Sequence, residues 1–221
     1  MGVSAFSGAS SIIKPGVVTS STRPSSPFVG QLIYETDTNR LAAYNGTAWV
    51  SQNSLQYITG ASFTSATTIS MATGVFTSTY KTYQIVFTAT AAAGDGQLSV
   101  RINNAGTPRT AGSYYGSSQR FPYVGTNPQI SLSSGTTSLN IGAFTATYNI
   151  MPQYIFTLNE PTNAALKTQI SATGTGVDNS NSTAIIFAGG AYNTAEATDG
   201  LTWIAGQAIT GYYRVYGLTE N

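Results

Sequence analysis

Acidic side chains are the residues of this chain best suited to chemistry, and there are eight of them. A glycosidase needs two carboxylates that face each other across a cleft. Here nearly all of the acidic residues occur in polar, turn-rich stretches or at the chain end, where a carboxylate usually bonds to nearby backbone N–H groups. The sequence therefore predicts no catalytic pair among Glu35, Asp37, Asp95, Glu160, Asp178, Glu196, Asp199 and Glu220.

The chain contains neither His nor Cys. The lack of His removes the commonest general base and metal ligand, and it leaves a serine nucleophile without its usual activating base. The lack of Cys excludes disulfides, thiolate nucleophiles and zinc–thiolate sites. Gly94–Gly96 lies between two predicted strands and not before a helix, so it is not a phosphate-binding loop. We therefore expect no enzymatic activity and no cofactor.

Calcium binding is the remaining metal alternative, because Ca²⁺ accepts carboxylate and carbonyl oxygens from loops. Asp178, Glu196 and Asp199 are the candidate ligands for such an ion. Nothing in the chain resembles a D-x-[DN]-x-[DN]-G calcium loop. We therefore assign no metal site from the sequence.

Tyrosine accounts for 14 residues, and several of them cluster in the C-terminal part of the chain. Tyrosines make contacts at low entropic cost and can form a platform for a sugar ring. One of Tyr212 and Tyr213 should point into a core, since successive strand residues face opposite sides. Tyr114 and Tyr115 fall in a Gly/Ser-rich stretch that we interpret as a loop. They are the candidate surface-contact aromatics, with a lid over the core as the alternative.

The composition is that of a neutral, weakly charged globular protein. Hydrophobic residues make up 41% and charged residues 8%, and the net charge is +1. No basic stripe is present, which argues against direct nucleic-acid binding. No apolar run approaches the length of a membrane span, and Met1–Ser11 lacks the features of a signal peptide. A surface with few charges loses little hydration energy when another chain covers it.

Apolar residues alternate with polar ones along many short segments, which is typical of strands. Leu98, Val100 and Ile102 share one strand face, for example. Asn159–Asn163 and Asp178–Asn181 are turn-rich, and the best helix candidate, Thr194–Thr198, is one turn at most. The pattern predicts an all-β fold, an antiparallel, jelly-roll-like β-sandwich. The strand candidates are Tyr83–Ala89, Leu98–Asn103, Gln129–Leu132, Ser138–Ile141, Gln153–Leu158, Leu166–Ala172, Ala184–Ala188, Leu201–Ala205 and Gly211–Leu218.

Three segments precede or form this sandwich. Residues 1–22 are predicted to be an extended docking arm, whose apolar residues are Ile12, Ile13, Val17 and Val18. Residues 23–53 contain a proline-rich turn and a three-stranded meander, predicted at Gln31–Glu35, Arg40–Tyr44 and Thr47–Ser51, with an Asn-Gly hairpin signal at Asn45-Gly46. Residues 54–221 are predicted to form the sandwich domain, and residues 52–60 are interpreted as a linker at its start.

The meander is too small to bury a core of its own. We therefore expect it to pack against copies of itself around a threefold axis, with packing against the neighbouring domain as the alternative. Tyr34, Tyr44 and Trp49 are the candidate oligomer contacts. At about 25 cal/mol per Å², a few buried aromatics would add several kcal/mol per copy.

The segment TRPSSPFVGQLIYETDTNRLAAYNGTAW, from Thr22 to Trp49, resembles one that recurs in structural proteins of tailed bacteriophages. There it precedes a β-rich domain in minor tail proteins, tail fibres and head fibre or decoration proteins. The C-terminal part is similar to the usual companion domain more loosely, at Tyr80–Tyr83, Val100–Asn103 and Tyr213–Gly217. The resemblance implies a virion component without specifying head or tail.

Together these observations predict a homotrimeric decoration, cement or head-fibre protein on a phage capsid. The arm would contact the major capsid protein or other virion proteins, and the sandwich would project outward. The head is preferred to the tail because the chain is short and has no long triple-stranded shaft. The alternative is a tail fibre or minor tail protein whose sandwich binds a host-surface glycan. A glycan-processing enzyme is the third and least favoured hypothesis.

Overall fold

The computed structural model describes residues 15–51, 55–123, 128–146, 151–177 and 183–218. The described part is all-β and contains no helix, which confirms the predicted fold class. The chain divides into two compact units, whose described residues are 15–51 and 55–218. These are the N-terminal unit and the C-terminal unit.

The N-terminal unit is a four-stranded sheet in the order β1-β2-β3-β4. Its strands are β1 (Gly16–Val18), β2 (Leu32–Glu35), β3 (Arg40–Tyr44) and β4 (Trp49–Ser51). The last three are the predicted meander, with bounds that differ by at most two residues. The fourth strand was not expected: β1 pairs in parallel with the outer edge of β2 and places Val17 beside Tyr34.

The Asn45-Gly46 signal lies at the β3–β4 hairpin, as its sequence predicts. Gly46 has a φ of 103°, a value that is strained for any residue with a side chain. The Asn45 Oδ1 accepts hydrogen bonds from the backbone nitrogens of Thr47 and Ala48, at 2.9 and 2.8 Å. The turn therefore follows from these two residues locally.

The C-terminal unit is one large sheet that folds over on itself. Its strand order is β10-β9-β14-β13-β12-β6-β15-β7-β11, and β5 and β8 pair with β15 and β7. All of these pairings are antiparallel. The strands are β5 (Leu55–Ser70), β6 (Thr82–Ala91), β7 (Asp95–Asn104), β8 (Thr107–Pro108), β9 (Tyr114–Pro122), β10 (Gln129–Thr136), β11 (Leu139–Thr145), β12 (Gln153–Asn159), β13 (Lys167–Val177), β14 (Thr183–Ala195) and β15 (Gly200–Leu218).

Strand β15 is the corner at which the sheet changes layer. Its first part, Gly200–Ala205, pairs with β7, and its second part, Ile209–Leu218, pairs with β6. Residues 206–208 pair with neither strand. Strand β11 consequently packs across the interior onto β9, β13 and β14, which are distant from it in the strand order. This two-layer arrangement corresponds to the predicted sandwich.

Aromatic rings fill the space between the two layers. Trp203 is fully buried, and its ring centroid lies 4.8 Å from that of Phe87, 5.8 Å from Phe156 and 5.2 Å from Tyr213. These residues come from β6, β12 and β15 and face inward because their strands alternate. Tyr213, and not Tyr212, is the inward member of its pair. Buried aromatics of this size contribute much of the hydrophobic stabilisation of a core.

Two glycines allow the layers to approach each other closely. Gly116 and Gly190 lie opposite each other on β9 and β14. A Cβ atom on either would stand 2.6 Å from Leu139 Cδ1 of the facing layer, closer than real Cβ atoms come. Leu139 therefore occupies the space that two side chains would otherwise take.

Three local expectations were wrong. Strand β5 begins at Leu55, so most of the expected linker at 52–60 belongs to the sandwich. Thr194–Thr198 contains no helix, because β14 continues to Ala195 and the N–H of Thr198 bonds outside the segment, to Pro161 O at 2.7 Å. Tyr114 and Tyr115 lie in strand β9 and not in a loop.

Candidate interaction surfaces

The carboxylates of the N-terminal unit make structural contacts. The buried Glu35 has its Oε1 2.5 Å from Arg23 Nε, and its Oε2 accepts a hydrogen bond from Thr38 Oγ1 at 2.8 Å. The hydrogen bond from Arg23 holds the pKa of Glu35 below its ordinary value, against the opposing effect of burial. Asp37 accepts hydrogen bonds from the backbone N–H and hydroxyl of Ser20, and these lower its pKa too. Both acids therefore anchor local structure.

The acids of the C-terminal unit have similar partners. Glu196 receives two hydrogen bonds from Arg109, from Nε and Nη2, each at 2.7 Å. Asp199 Oδ2 accepts the backbone N–H of Gly106 at 2.9 Å. Asp178, the third candidate calcium ligand, lies outside the described residues. Within the described residues, no three His, Cys, Asp or Glu side chains are placed to hold a metal ion.

The two candidate contact tyrosines of β9 point in opposite directions. Tyr115 is 47% exposed, and its role in a surface contact stays a prediction. Tyr114 is 0% exposed, so the prediction that it forms a surface contact was wrong. Because β9 is a strand, its alternation turns Tyr114 inward, where its ring centroid lies 4.9 Å from that of Tyr192. Burial raises the pKa of the Tyr114 hydroxyl.

The candidate oligomer contacts of the N-terminal unit are half-buried within their own chain. The ring centroids of Tyr44 and Trp49 are 5.4 Å apart, and Tyr34 donates its hydroxyl hydrogen to Asn39 Oδ1. Part of each aromatic surface is therefore covered intramolecularly, and part is left for a neighbour. Their role in oligomerisation stays a prediction.

The predicted docking arm falls partly outside the described structure. Ile12 and Ile13 lie outside the described residues. Val17 and Val18 belong to β1, and the carbonyl of Val18 accepts the N–H of Thr36 at 2.9 Å. Their backbone is thus built into the small sheet, while the Val17 side chain is exposed.

Three large apolar side chains of the N-terminal unit are mostly in solvent. Val17 is 69% exposed, Phe28 68% and Val29 71%. Phe28 and Val29 lie in the turn before β2, between Pro27 and Gly30, and sequence reasoning missed them as contact candidates. The sequence did contain a signal for their exposure. Two adjacent apolar residues in a proline-containing turn do not alternate as strand residues do, so no strand geometry directs them into a core.

The C-terminal unit has a broad, almost uncharged surface that we call the outer face. It is the solvent side of β9, β14, β13 and β12. Phe121 on β9 pairs with Ile185 on β14, and Phe187 on β14 is aligned with Ile155 on β12, with β13 between them. Phe187 is 51% exposed, and its ring centroid lies 5.9 Å from that of Phe121. The only charged residues in these four strands are Lys167 and the buried Arg120. The rest of the outer face carries mainly hydroxyl and amide groups.

No helix of the described residues is long and apolar enough to cross a membrane. No protein-family model, curated protein or solved structure matches the chain.

Proposed function

We propose that the chain is a structural component of a tailed-phage virion, a capsid decoration or head-fibre protein that works by adhesion. In this proposal it assembles as a trimer and attaches to the shell through its N-terminal unit and the residues before it. The C-terminal unit projects from the particle surface. It performs no catalysis.

The exposed apolar side chains of the N-terminal unit carry this proposal. Val17, Phe28 and Val29 each have more than two thirds of their surface in water, on a unit whose core is very small. Large apolar groups exposed in this way are typical of surfaces that a partner covers. The Thr22–Trp49 segment, with its resemblance to phage structural proteins, contains Phe28 and Val29 and supports the same role.

The chemistry of the acids is consistent with adhesion. Glu35, Glu196 and Asp199 are each bonded to groups of their own unit. The outer face offers neutral groups, which lose little hydration energy on contact. A tail fibre or minor tail protein that binds a host-surface glycan is the second candidate, favoured by the hydroxyl- and amide-rich outer face.

Co-sedimentation with capsids and with tails, purified separately from the phage that encodes the chain, tests the proposal. We expect the full chain to sediment with capsids. A variant lacking residues 1–14 keeps strand β1 and should bind much more weakly. Phe28→Ser and Val29→Ser should each weaken binding about tenfold, because each removes about 1.5 kcal/mol of apolar burial.

Phe187→Ser is the matched control, since it replaces an exposed phenylalanine on the C-terminal unit. Its capsid binding should equal that of the unchanged chain. Binding to tails alone, together with a specific signal on a glycan array, would replace the first candidate by the second. Binding to neither particle would refute both.

A further inference from the structure

A groove runs across the outer face where four strands contribute their solvent-facing side chains. It consists of two adjoining hollows of about 430 and 590 Å³, which share Asn159 and Gln169 in their linings. Volumes of this order lie in the usual range for small-molecule sites, about 300–1,000 Å³. We propose that this groove binds a short neutral oligosaccharide.

The groups along the groove match the chemistry of a sugar. Tyr115 lines one end and offers an exposed aromatic ring, which can pack against the apolar C–H groups of a pyranose. Thr157 and Ser171 contribute hydroxyls, and Asn159 and Gln169 contribute amides. Amide side chains both donate and accept hydrogen bonds, as adjacent sugar hydroxyls also do. The Oδ1 of Asn159 accepts the Thr82 hydroxyl at 3.0 Å, so its NH₂ group is the part of this amide that would donate to a ligand.

Small residues keep the groove open. Gly189 lines it, and a Cβ built there would meet only Ile170 O at 3.4 Å and Ser171 Cα at 3.9 Å. Neither distance is a clash, so internal packing does not require glycine at this position. The neighbouring Gly190 does lack room for a side chain. The absence of a side chain at Gly189 leaves space above the sheet that a flat ligand can occupy.

The far end of the groove is lined by one basic and one acidic residue, Lys167 and Glu160, whose opposite charges sum to zero, and each also has a hydrogen bond to an amide of its own unit. Lys167 Nζ donates to Asn193 Oδ1 at 2.5 Å, and Glu160 Oε2 accepts a hydrogen bond from Asn163 at 2.9 Å. The remaining lining residues are Ala165, Leu166, Ile170, Gly190 and Ala191, which carry no charge. A neutral ligand therefore fits this surface better than a phosphate or an acidic sugar.

This inference rests on the second candidate function, glycan binding by the outer face, and deepens it by naming the site, which lies in the C-terminal unit only. Capsid binding and sugar binding can therefore succeed or fail separately. A glycan array shows whether any sugar binds to the chain. The groove proposal also specifies which side chains contact that sugar.

Saturation-transfer NMR on the full chain tests the site, with maltotriose, cellotriose and N,N′,N″-triacetylchitotriose as probes at millimolar concentration. We expect at least one of them to receive saturation from the protein. Tyr115→Ala should weaken its binding about tenfold, and Gln169→Ala should weaken it severalfold. Gly189→Val, which fills the groove floor, should abolish it.

Phe121→Ala is the matched control, because Phe121 is an exposed aromatic on the same strand and face but outside the groove lining. It should leave sugar binding unchanged. Thermal unfolding of each variant shows whether it is folded. The proposal is overturned if no probe receives saturation, or if the three groove variants, all folded, bind as the unchanged chain does.

Discussion

The hydroxyl oxygen of Tyr114 lies 3.0 Å from the backbone nitrogen of Ile102 and accepts its N–H. The same hydroxyl donates to the backbone carbonyl of Arg109 at 3.1 Å. Tyr114 thus ties β9 to β7 and to the segment between them. The position is buried, so water could not take the place of the hydroxyl if a substitution removed it. Its neighbour Tyr115 has the same side chain on the opposite, solvent-facing side of the strand. The two residues form a natural pair for comparison.

Tyr114→Phe should destabilise the C-terminal unit by about 1–3 kcal/mol, because it leaves a buried N–H and carbonyl without this partner. Tyr115→Phe should change stability by no more than about 0.5 kcal/mol, since an exposed hydroxyl is replaced. Chemical denaturation of both variants measures the difference. Equal stabilities would show that the Tyr114 hydroxyl contributes nothing to the fold.

A second neighbouring pair tests the packing between the layers. Gly190→Ala should cost about 3 kcal/mol, since its Cβ would lie 2.4 Å from the carbonyl oxygen of Tyr115 and 2.6 Å from Leu139 Cδ1. Gly189→Ala, one residue earlier and facing outward, should be neutral or stabilising by about 0.5 kcal/mol, because alanine restricts the unfolded chain. The measurement is the midpoint of denaturant unfolding. A tolerated Gly190→Ala would contradict the close approach of Leu139.

The alternation of apolar and polar residues along the sequence predicts much of the sandwich. Ile85 and Phe87, like Val100 and Ile102, face inward because their strands alternate regularly, and Asn45-Gly46 forms a hairpin for local reasons. Strand β9 was missed because its glycine and serines have low strand propensity, and its neighbours in the sheet, not its own residues, hold it extended.

The groove could not be predicted from sequence for a different reason. Tyr115, Asn159, Gln169 and Gly189 come from four strands, and only the strand order β9-β14-β13-β12 brings them together. Alternation indicates which side of a strand a residue occupies, but not which strand lies beside it. Long-range pairing also decided the position of Val17, whose segment was predicted to be an extended docking arm and whose backbone forms strand β1 of its own unit.

The N-terminal unit should lose stability in acid through Glu35. The pKa of Glu35 is lowered in the folded unit, so its ionised form stabilises the fold above the ordinary glutamate value of about 4.3. This contribution should disappear as the pH falls through that value and then through the lowered folded value. The indole N–H signal of Trp49 in NMR, the one tryptophan of this unit, reports the transition.

Glu35→Gln is the variant that isolates this effect, because it removes the titrating group and keeps a similar shape. It should be less stable at neutral pH and should show a weaker dependence on pH below about 5. The pKa of Asp37 is also lowered, by its bonds to Ser20, so some acid sensitivity should persist and should diminish further in Asp37→Asn. An unchanged acid transition in Glu35→Gln would assign the sensitivity to other groups.

The proposed trimer makes a prediction about Trp49. Its ring is half-buried beside Tyr44, and its remaining surface is available to a neighbouring copy. Trp49→Ala should lower the mass measured by light scattering from trimer to monomer, whereas Tyr57→Ala, an exposed tyrosine of the C-terminal unit, should not. The methyl signals of the fully buried Ile33 establish whether the N-terminal unit remains folded. A folded Trp49→Ala that keeps the trimer mass, or an unchanged chain that is a monomer, would contradict assembly through this aromatic cluster.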